Sequence, residues 1–459
     1  MNKLEKYVLV IAAVTSFFTV FLSSAVMISV PSLALEFGMS NIVQNWVTML
    51  FFLSVAAVTV PAGQISGKFG LKNTMIFGMI LYILSSVVCV FSISQDMFLI
   101  CRIFQGIGAG FLNVAAMAMV VSAFKPQDRG EAIGFTVVGV YLATSLSPVI
   151  GGFLNFSLGW RSIFYFTIPF LLICLALLIT QINKEWKTFE NEPIDIKGSV
   201  LYSIGIVFFI FGFTMLNKPS GLTVTIIGLI LIAIFVLVEL KVKMPVFNVK
   251  LFKNTKFASA NFAALCAYLA TFAIVTIVNY YLQYIKGMDS SQAGMILLIA
   301  PVFQVVMAPI AGKLSDKINP QILAAVGIAF GGLGIFMIST INAATPLPFL
   351  MVGMAFQGFG FGLFSSPNTN AIMGSVPPKE TPIASASVAT MRVIGQTLSM
   401  GMFTLIFAYI MGSVQIVPET YPLLLLSCQV AAGICTILCI VSIFASLVGI
   451  KSKAYFDKS

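Results

Sequence analysis

Phe104-Gln-Gly-Ile-Gly-Ala-Gly110 returns as Phe356-Gln-Gly-Phe-Gly-Phe-Gly362, at an offset of 252 residues, and each copy lies inside a long apolar run. Two related membrane halves are implied. Internal repeats built from transmembrane helices mark secondary transporters, whose bundles rock about a substrate site near the mid-membrane. Working outward, 59% of the residues are hydrophobic and only 9% charged, against roughly 25% charge in an ordinary soluble protein. The chain reads as an all-α polytopic membrane protein.

A helix crossing ~30 Å of hydrocarbon at ~1.5 Å per residue needs about 20 apolar residues. By that measure fourteen spans are expected, near 7–30, 44–66, 74–94, 98–122, 132–154, 162–182, 199–217, 221–240, 257–283, 291–312, 321–341, 347–373, 383–411 and 423–449. The repeat offset pairs the first six with the last six and leaves 199–240 between them. The expected domains are a six-helix bundle over 1–198, two additional helices and a linker over 199–256, and a second six-helix bundle over 257–459 with a short cytoplasmic tail.

Lys and Arg in short loops are retained on the cytoplasmic side. With the N-terminus inside, cytoplasmic segments hold twenty of the 25 basic residues and outside loops hold three, Arg161, Lys218 and Lys286. Arg102 and Arg392 fall within spans. Both termini are therefore expected in the cytoplasm and the chain in the plasma membrane. The net charge of +10 is spread over these loops rather than gathered in a patch with stacking aromatics, which argues against a nucleic-acid partner. The first apolar run is too long for a signal-peptide core and reads as a retained span. All seven cysteines fall in spans and there is no His, so neither disulfides nor a metal site are expected. No cofactor is implied.

The loop after the second span reads Gly63-Gln-Ile-Ser-Gly-Lys68-Phe-Gly70-Leu-Lys72, and its counterpart after the tenth reads Gly312-Lys-Leu-Ser-Asp316-Lys317. Here the chain resembles the major facilitator superfamily, whose glycine-and-basic loop between helices 2 and 3 carries an Asp and acts as a cytoplasmic latch. Gly67 stands where that Asp usually sits; the second copy keeps Asp316. Glycines permit the tight turn, and cations suit helix C-termini.

Leu99-Ile-Cys-Arg102-Ile-Phe-Gln105-Gly106-Ile-Gly108-Ala-Gly110 is similar to the superfamily's helix-4 motif. Its dense glycines suit close helix packing better than a dinucleotide turn, for which strand and acidic ribose ligand are missing. A charge such as Arg102 inside a span costs roughly 2.5–3.5 kcal/mol when central and usually faces a cavity or a partner. Ser147-Pro148-Val-Ile-Gly151-Gly152 resembles the Gly-Pro-x-x-Gly-Gly motif of exporter branches, with Ser147 in place of Gly; proline removes a backbone bond and can supply a pivot. Trp46-Val-Thr-Met-Leu-Phe, Trp160-Arg-Ser-Ile-Phe-Tyr-Phe-Thr-Ile-Pro169, Asp195-Ile-Lys-Gly198 and Pro245-Val-Phe-Asn-Val-Lys-Leu-Phe-Lys253 look like the fourteen-span drug/proton antiporter (multidrug efflux) branch. The resemblance covers nearly the whole chain. It implies two pseudo-repeated bundles plus two central helices, working by alternating access.

One family feature is missing. The proton-coupled branch carries an Asp in helix 1 before a Pro, whereas Leu22-Ser-Ser-Ala-Val-Met-Ile-Ser-Val-Pro31 has no acid. A coupling group must change protonation during the cycle, and desolvated carboxylates or His do so well. Three readings stay open: coupling through an end-of-span acid such as Asp96 or Glu131, competition of a cationic substrate with protons, or no proton coupling. Without a fixed negative charge, Arg102 and Arg392 favour a neutral, zwitterionic or anionic substrate. Polar residues within spans supply the candidate pathway: Gln105, Asn113, Thr144, Asn279, Gln283, Gln304, Gln357, Asn368 and Gln396, beside the two arginines. The 42 Phe and 22 Met can line an adaptable apolar cavity.

The expected function is efflux of amphipathic drugs or related organic compounds, with the lipid bilayer, a small-molecule substrate and protons as partners, by a monomer. A metabolite or organic-anion carrier without proton coupling is the alternative within transport, and a non-transporting receptor or sensor the alternative outside it. An enzyme is not expected, since no nucleophile with a base and no metal-ligand cluster is present. An ATP-driven pump lacks its Walker-type loop.

Overall fold

A computed structural model of the chain describes residues 3–125, 129–187, 195–242, 245, 247–315, 317–377 and 381–450. Asp316 lies outside the described residues, as does the side chain of Glu131. Among the described residues every extended element is helical, and fourteen spans are long and apolar enough to cross a membrane. In the first half they are α1 (Lys3–Phe37), α2 (Asn41–Phe69), α3 (Leu71–Val90), α4 (Gln95–Ala123), α5 (Arg129–Leu158) and α6 (Arg161–Gln181). Next come α7 (Ile196–Thr214) and α8 (Pro219–Glu239). The second half contains α9 (Thr255–Tyr280), α10 (Ser290–Leu297), α11 (Ile299–Ser315), α12 (Pro320–Ser339), α13 (Leu347–Met373), α14 (Thr381–Ile410) and α15 (Tyr421–Val448).

Local sequence explains where these helices begin. Ser40 and Ser94 cap α2 and α4 by accepting from the amides of Val43 and Met97 at 3.4 and 3.3 Å. Asn254 does the same for α9 through Lys256 N–H at 3.0 Å, and Asn319, followed by Pro320, opens α12; these are the favoured capping residues. Two details depart from uninterrupted spans. The tenth span is interrupted at Leu298, which divides it into α10 and α11. The ninth ends in a π turn, Tyr281–Ile285, closed by Lys286 N–H on the Tyr281 carbonyl at 3.0 Å.

The chain divides into two compact units. Unit 1 is Met1–Phe209 with Ile227–Phe235 and Asp289–Gly294; unit 2 is Ile210–Ile226, Val236–Met288 and Met295–Ser459. The packing inside each repeats. In unit 1 α3 lies on α4, α2 on α4, α1 on α5 and α6, and α3 on α6; in unit 2 α12 lies on α13, α11 on α13, α9 on α14 and α15, and α12 on α15. Each pairing maps onto its counterpart through the sequence repeat.

The glycine series explains how the repeat packs. A Cβ on Gly106 would strike the Phe51 carbonyl of α2, while one on Gly108 would meet the backbone of Gly78 and Tyr82 on α3 at 2.9 Å. Their counterparts behave alike: Gly358 abuts Ala300 of α11 and Gly360 abuts Gly331 and Gly327 of α12. Alternate glycines thus let one helix touch two neighbours at backbone distance, the small-residue packing that membranes favour.

Candidate functional site

Arg102, on the buried side of α4, has no exposed surface. Its Nε donates to the Val47 carbonyl of α2 at 3.0 Å, its Nη1 donates to Gln105 Oε1, and its guanidinium lies 4.5 Å from the Phe51 ring centroid. Gln105 Nε2 then donates to Ser86 Oγ of α3 at 2.8 Å, and Ser86 donates to the Tyr82 carbonyl at 2.6 Å. One cation therefore ties three helices together. Its Nη2 is buried without a hydrogen-bond partner, and among the described residues no carboxylate pairs with it. The i, i+3 spacing that brings Arg102 to Gln105 is a helical one.

A second assembly surrounds the glycine-and-basic stretch, which reads as a loop in sequence but is helical as the end of α2 through Phe69 and the start of α3 from Leu71. Only Gly70 separates α2 from α3, with φ of +102°, a conformation open to glycine. The first amides of α3 are orphans of helix geometry, and the chain after α6 satisfies three of them. Lys72 and Asn73 donate to the Glu185 carboxylate at 2.8 and 3.1 Å, and Leu71 donates to the Trp186 carbonyl at 3.0 Å. A negative charge at a helix N-terminus also meets the dipole favourably. Gly67, at the family's Asp position, is buried, and Lys68 and Lys72 are half-buried beside this cap. Gly63 borders open space. Glu185→Ala is expected to lower the unfolding free energy by about 1–2 kcal/mol, with Glu185→Gln retaining part of it. A melting curve of Glu185→Ala superimposable on wild type would contradict this capping role.

At the opposite end of α3, Glu36 gathers the chain ends after α1, α3 and α5. It accepts from Trp160 Nε1 at 2.7 Å and pairs with Arg161 at 2.7 Å, while Arg161 also donates to the Val90 and Ser92 carbonyls at 3.0 and 3.1 Å. Arg161, one of three basic residues expected on the outer side, thus has an internal role.

Pro148 sits inside an unbroken α5. Lacking an N–H, it leaves the Thr144 carbonyl without its helical partner; the Thr144 hydroxyl donates to Val140 O at 2.9 Å. Gly151 fits against Ala25 of α1, where a Cβ would come within 2.6 Å of the Ala25 Cβ. Gly152 receives residues 289–294, which cluster with unit 1: Ser290 Oγ donates to the Gly152 carbonyl at 3.0 Å.

The remaining candidate residues are dispersed. Asn113 is exposed and Thr144 half-buried in unit 1. In unit 2, Gln283 Nε2 donates to the fully buried Asn279 at 2.7 Å. These two flank the start of the π turn, which is pinned by Tyr281 Oη on the Asn342 carbonyl at 2.9 Å. π turns recur at functional sites. Gln357 and Asn368 are buried on α13; Arg392 and Gln396 are half-buried one turn apart on α14. Gln304 is half-buried on α11. Among the described residues no group of three or more Cys, Asp or Glu side chains could hold a metal.

Sequence reasoning missed an aromatic feature of α1. Phe18 stacks on Phe170 of α6 at 4.6 Å and Phe21 meets Phe166 at 5.5 Å, while Phe17 lies parallel to Phe21, 8° apart with centroids at 6.0 Å. Beside Phe17 is an apolar cleft of about 190 Å³ lined by Ala13, Val14, Phe17, Phe18 and Gly139. The i, i+4 spacing of Phe17 and Phe21 was a readable signal.

Comparison with known proteins follows the same lines. The family profile of the Major Facilitator Superfamily matches residues 12–253 and 260–454. The riboflavin transporter RibZ of Clostridioides difficile is 28% identical, over 87% of this chain and 88% of the relative. Multidrug resistance protein 3 of Bacillus subtilis is 27% identical over 78% and 71%, and multidrug resistance protein Stp of Mycobacterium tuberculosis 24% over 87% and 75%. Among solved structures, a bacterial homologue of the lysosomal transporter Spinster has a TM-score of 0.70 at 15% identity, covering 98% of each chain. The peptide transporter POT with alafosfalin reaches 0.72 at 14%, covering 99% of this chain and all of the other. The repeated bundles, the glycine-packed helices with their buried Arg102 and a profile match along nearly the whole chain agree: this protein belongs to the Major Facilitator Superfamily and is a membrane transporter, not an enzyme.

Proposed function

We propose that this transporter exports amphipathic organic compounds of drug size across the plasma membrane by alternating access, with both termini in the cytoplasm. The observation that carries the reading is similarity along most of the chain to relatives named for multidrug resistance. In this reading substrate is held near the mid-membrane, Pro148 with Gly151 and Gly152 serves as pivot, and the pathway draws on Asn113, Asn279, Gln283, Gln357, Asn368, Arg392 and Gln396. Arg102 acts from behind, since its donors go to Val47 and Gln105 rather than to an open cavity. Protons are the proposed counter-ion.

Expression in cells stripped of their own exporters tests this. Resistance to several unrelated aromatic drugs and lowered dye accumulation are expected, and Pro148→Ala should abolish both at normal protein levels. Unchanged sensitivity with the protein present in the membrane would overturn the efflux reading.

A second reading has its own support. The relative named as a riboflavin transporter matches the greater part of both chains, which favours an uncharged aromatic metabolite as cargo. Growth of a riboflavin-requiring strain on limiting riboflavin, restored by this chain, would select that reading over efflux.

A further inference from the structure

We infer that the cleft between α1 and α5 is a subsite for one flat, uncharged aromatic ring system of the transported solute, with Phe17 as the ring it stacks upon; this rests on the transport reading above. Residues 13, 17 and 21 fall on one face of α1 at i, i+4, i+8. Phe21 and Phe17 occupy two of these places as parallel rings. Ala13 holds the third, so the stack stops one ring short, and the cleft occupies the place of that missing ring. Offset-stacked rings are a favoured aromatic arrangement. The solute supplies the third ring.

The walls fix the size and chemistry. A cleft of about 190 Å³ is somewhat larger than the ~150 Å³ apolar cavity that binds benzene. It admits the end of a fused ring system, leaving any polar chain outside. No charged or hydrogen-bonding side chain lines it, so a cation would give up its water with only the weak attraction of a Phe face in return. Phe18 is 6% exposed and meets Phe17 edge-on at 5.0 Å. With Phe170 stacked behind Phe18, the Phe17 ring is held in position before a ligand arrives, which limits the ordering cost of binding. Across the cleft, Gly139 leaves room because it has no side chain; a Cβ there would approach the Ala13 carbonyl to 3.0 Å. Ala13 to Phe18 lie near the middle of the 35-residue α1, the depth at which such transporters hold substrate.

The test uses the full chain purified into nanodiscs, with lumichrome, a bare uncharged tricycle, and riboflavin as fluorescent probes read by quenching and anisotropy. Phe17→Leu, which keeps bulk but removes the ring, is expected to weaken both about tenfold. Phe17→Trp should bind within about threefold of wild type. Ala13→Phe, which completes the stack with the protein's own ring, should abolish binding while leaving the melting temperature in place, and size-exclusion profiles establish that each variant is folded. Failure of wild type to bind either probe overturns the inference, as does unaltered affinity in folded Phe17→Leu and Ala13→Phe. An equal loss of a planar cationic dye, ethidium, in Phe17→Leu overturns the uncharged part. Drug flux by wild type is read separately. Flux with Phe17-independent binding sinks the cleft alone, whereas Phe17-dependent binding without flux sinks the transport reading alone.

Discussion

Gly360→Val is expected to prevent accumulation of a folded protein. At this point α13 meets α12 backbone to backbone: a Cβ would come within 2.5 Å of the Gly331 Cα and the Gly327 carbonyl, and no flexible side chain is available to give way. Overpacking typically costs about 1–3 kcal/mol where side chains can shift and more where they cannot. Gly108→Val, the equivalent change in unit 1, should behave similarly against Gly78 and Tyr82. Gly433→Ala is the control, since its Cβ would meet nothing within 4 Å. Fluorescence-detected size exclusion of detergent extracts should show a monodisperse control and aggregated or missing glycine variants. A wild-type profile for Gly360→Val would mean that the glycine repeat does not carry the packing assigned to it.

Removing Arg102 is the second large effect expected. Arg102→Ala leaves a hole between α2, α3 and α4 and strips Gln105 Oε1 of its donor, and should cost about 2–5 kcal/mol. Arg102→Met, which fills the volume without the charge, should recover much of the stability, because a buried cation without an anionic partner is itself expensive. Lysine is a poor replacement: a guanidinium offers a planar fork of donors, and this one uses it to reach Val47 and Gln105 together. Thermal melting of the purified variants should therefore rank wild type and Met above Lys, with Ala lowest. If Arg102→Ala melts like wild type yet loses only the pH dependence of flux, the residue works in proton movement rather than as a brace.

Much of the fold can be read directly from the residues, because its signals are local. Apolar run length sets the spans, and the twofold appearance of Phe-Gln-Gly sets the repeat; which helix packs on which comes from the structure, where the pairings of one unit recur in the other. The pairs Arg102 with Gln105 and Asn279 with Gln283 follow from helical spacing. Long-range partners are different. Glu185 reaches the start of α3 across more than a hundred residues of chain, and nothing near it in sequence resembles a cap. Arg102 chooses a backbone carbonyl, which has no side-chain signature. The interruption at Leu298 and the π turn after Tyr280 depend on how neighbouring helices satisfy the backbone. The cleft at Phe17 depends on Gly139 of α5 standing opposite Ala13, more than a hundred residues away in the chain. Within unit 2, the polar residues Gln357, Asn368, Arg392 and Gln396 share no hydrogen bond among the described residues. The proposal that they share a pathway rests on the transport mechanism rather than on direct contact.

Flux through the isolated protein is the decisive measurement. Reconstituted in liposomes with and without an imposed pH gradient, the wild-type chain should move a fluorescent amphipathic aromatic dye, faster when protons can flow the other way, and Pro148→Ala should not move it. Gradient-driven movement would also direct the search for the proton site to acids at helix ends such as Asp96. Protein shown to be folded that moves neither dye nor riboflavin, under either condition, would contradict the claim that this chain transports amphipathic aromatic compounds.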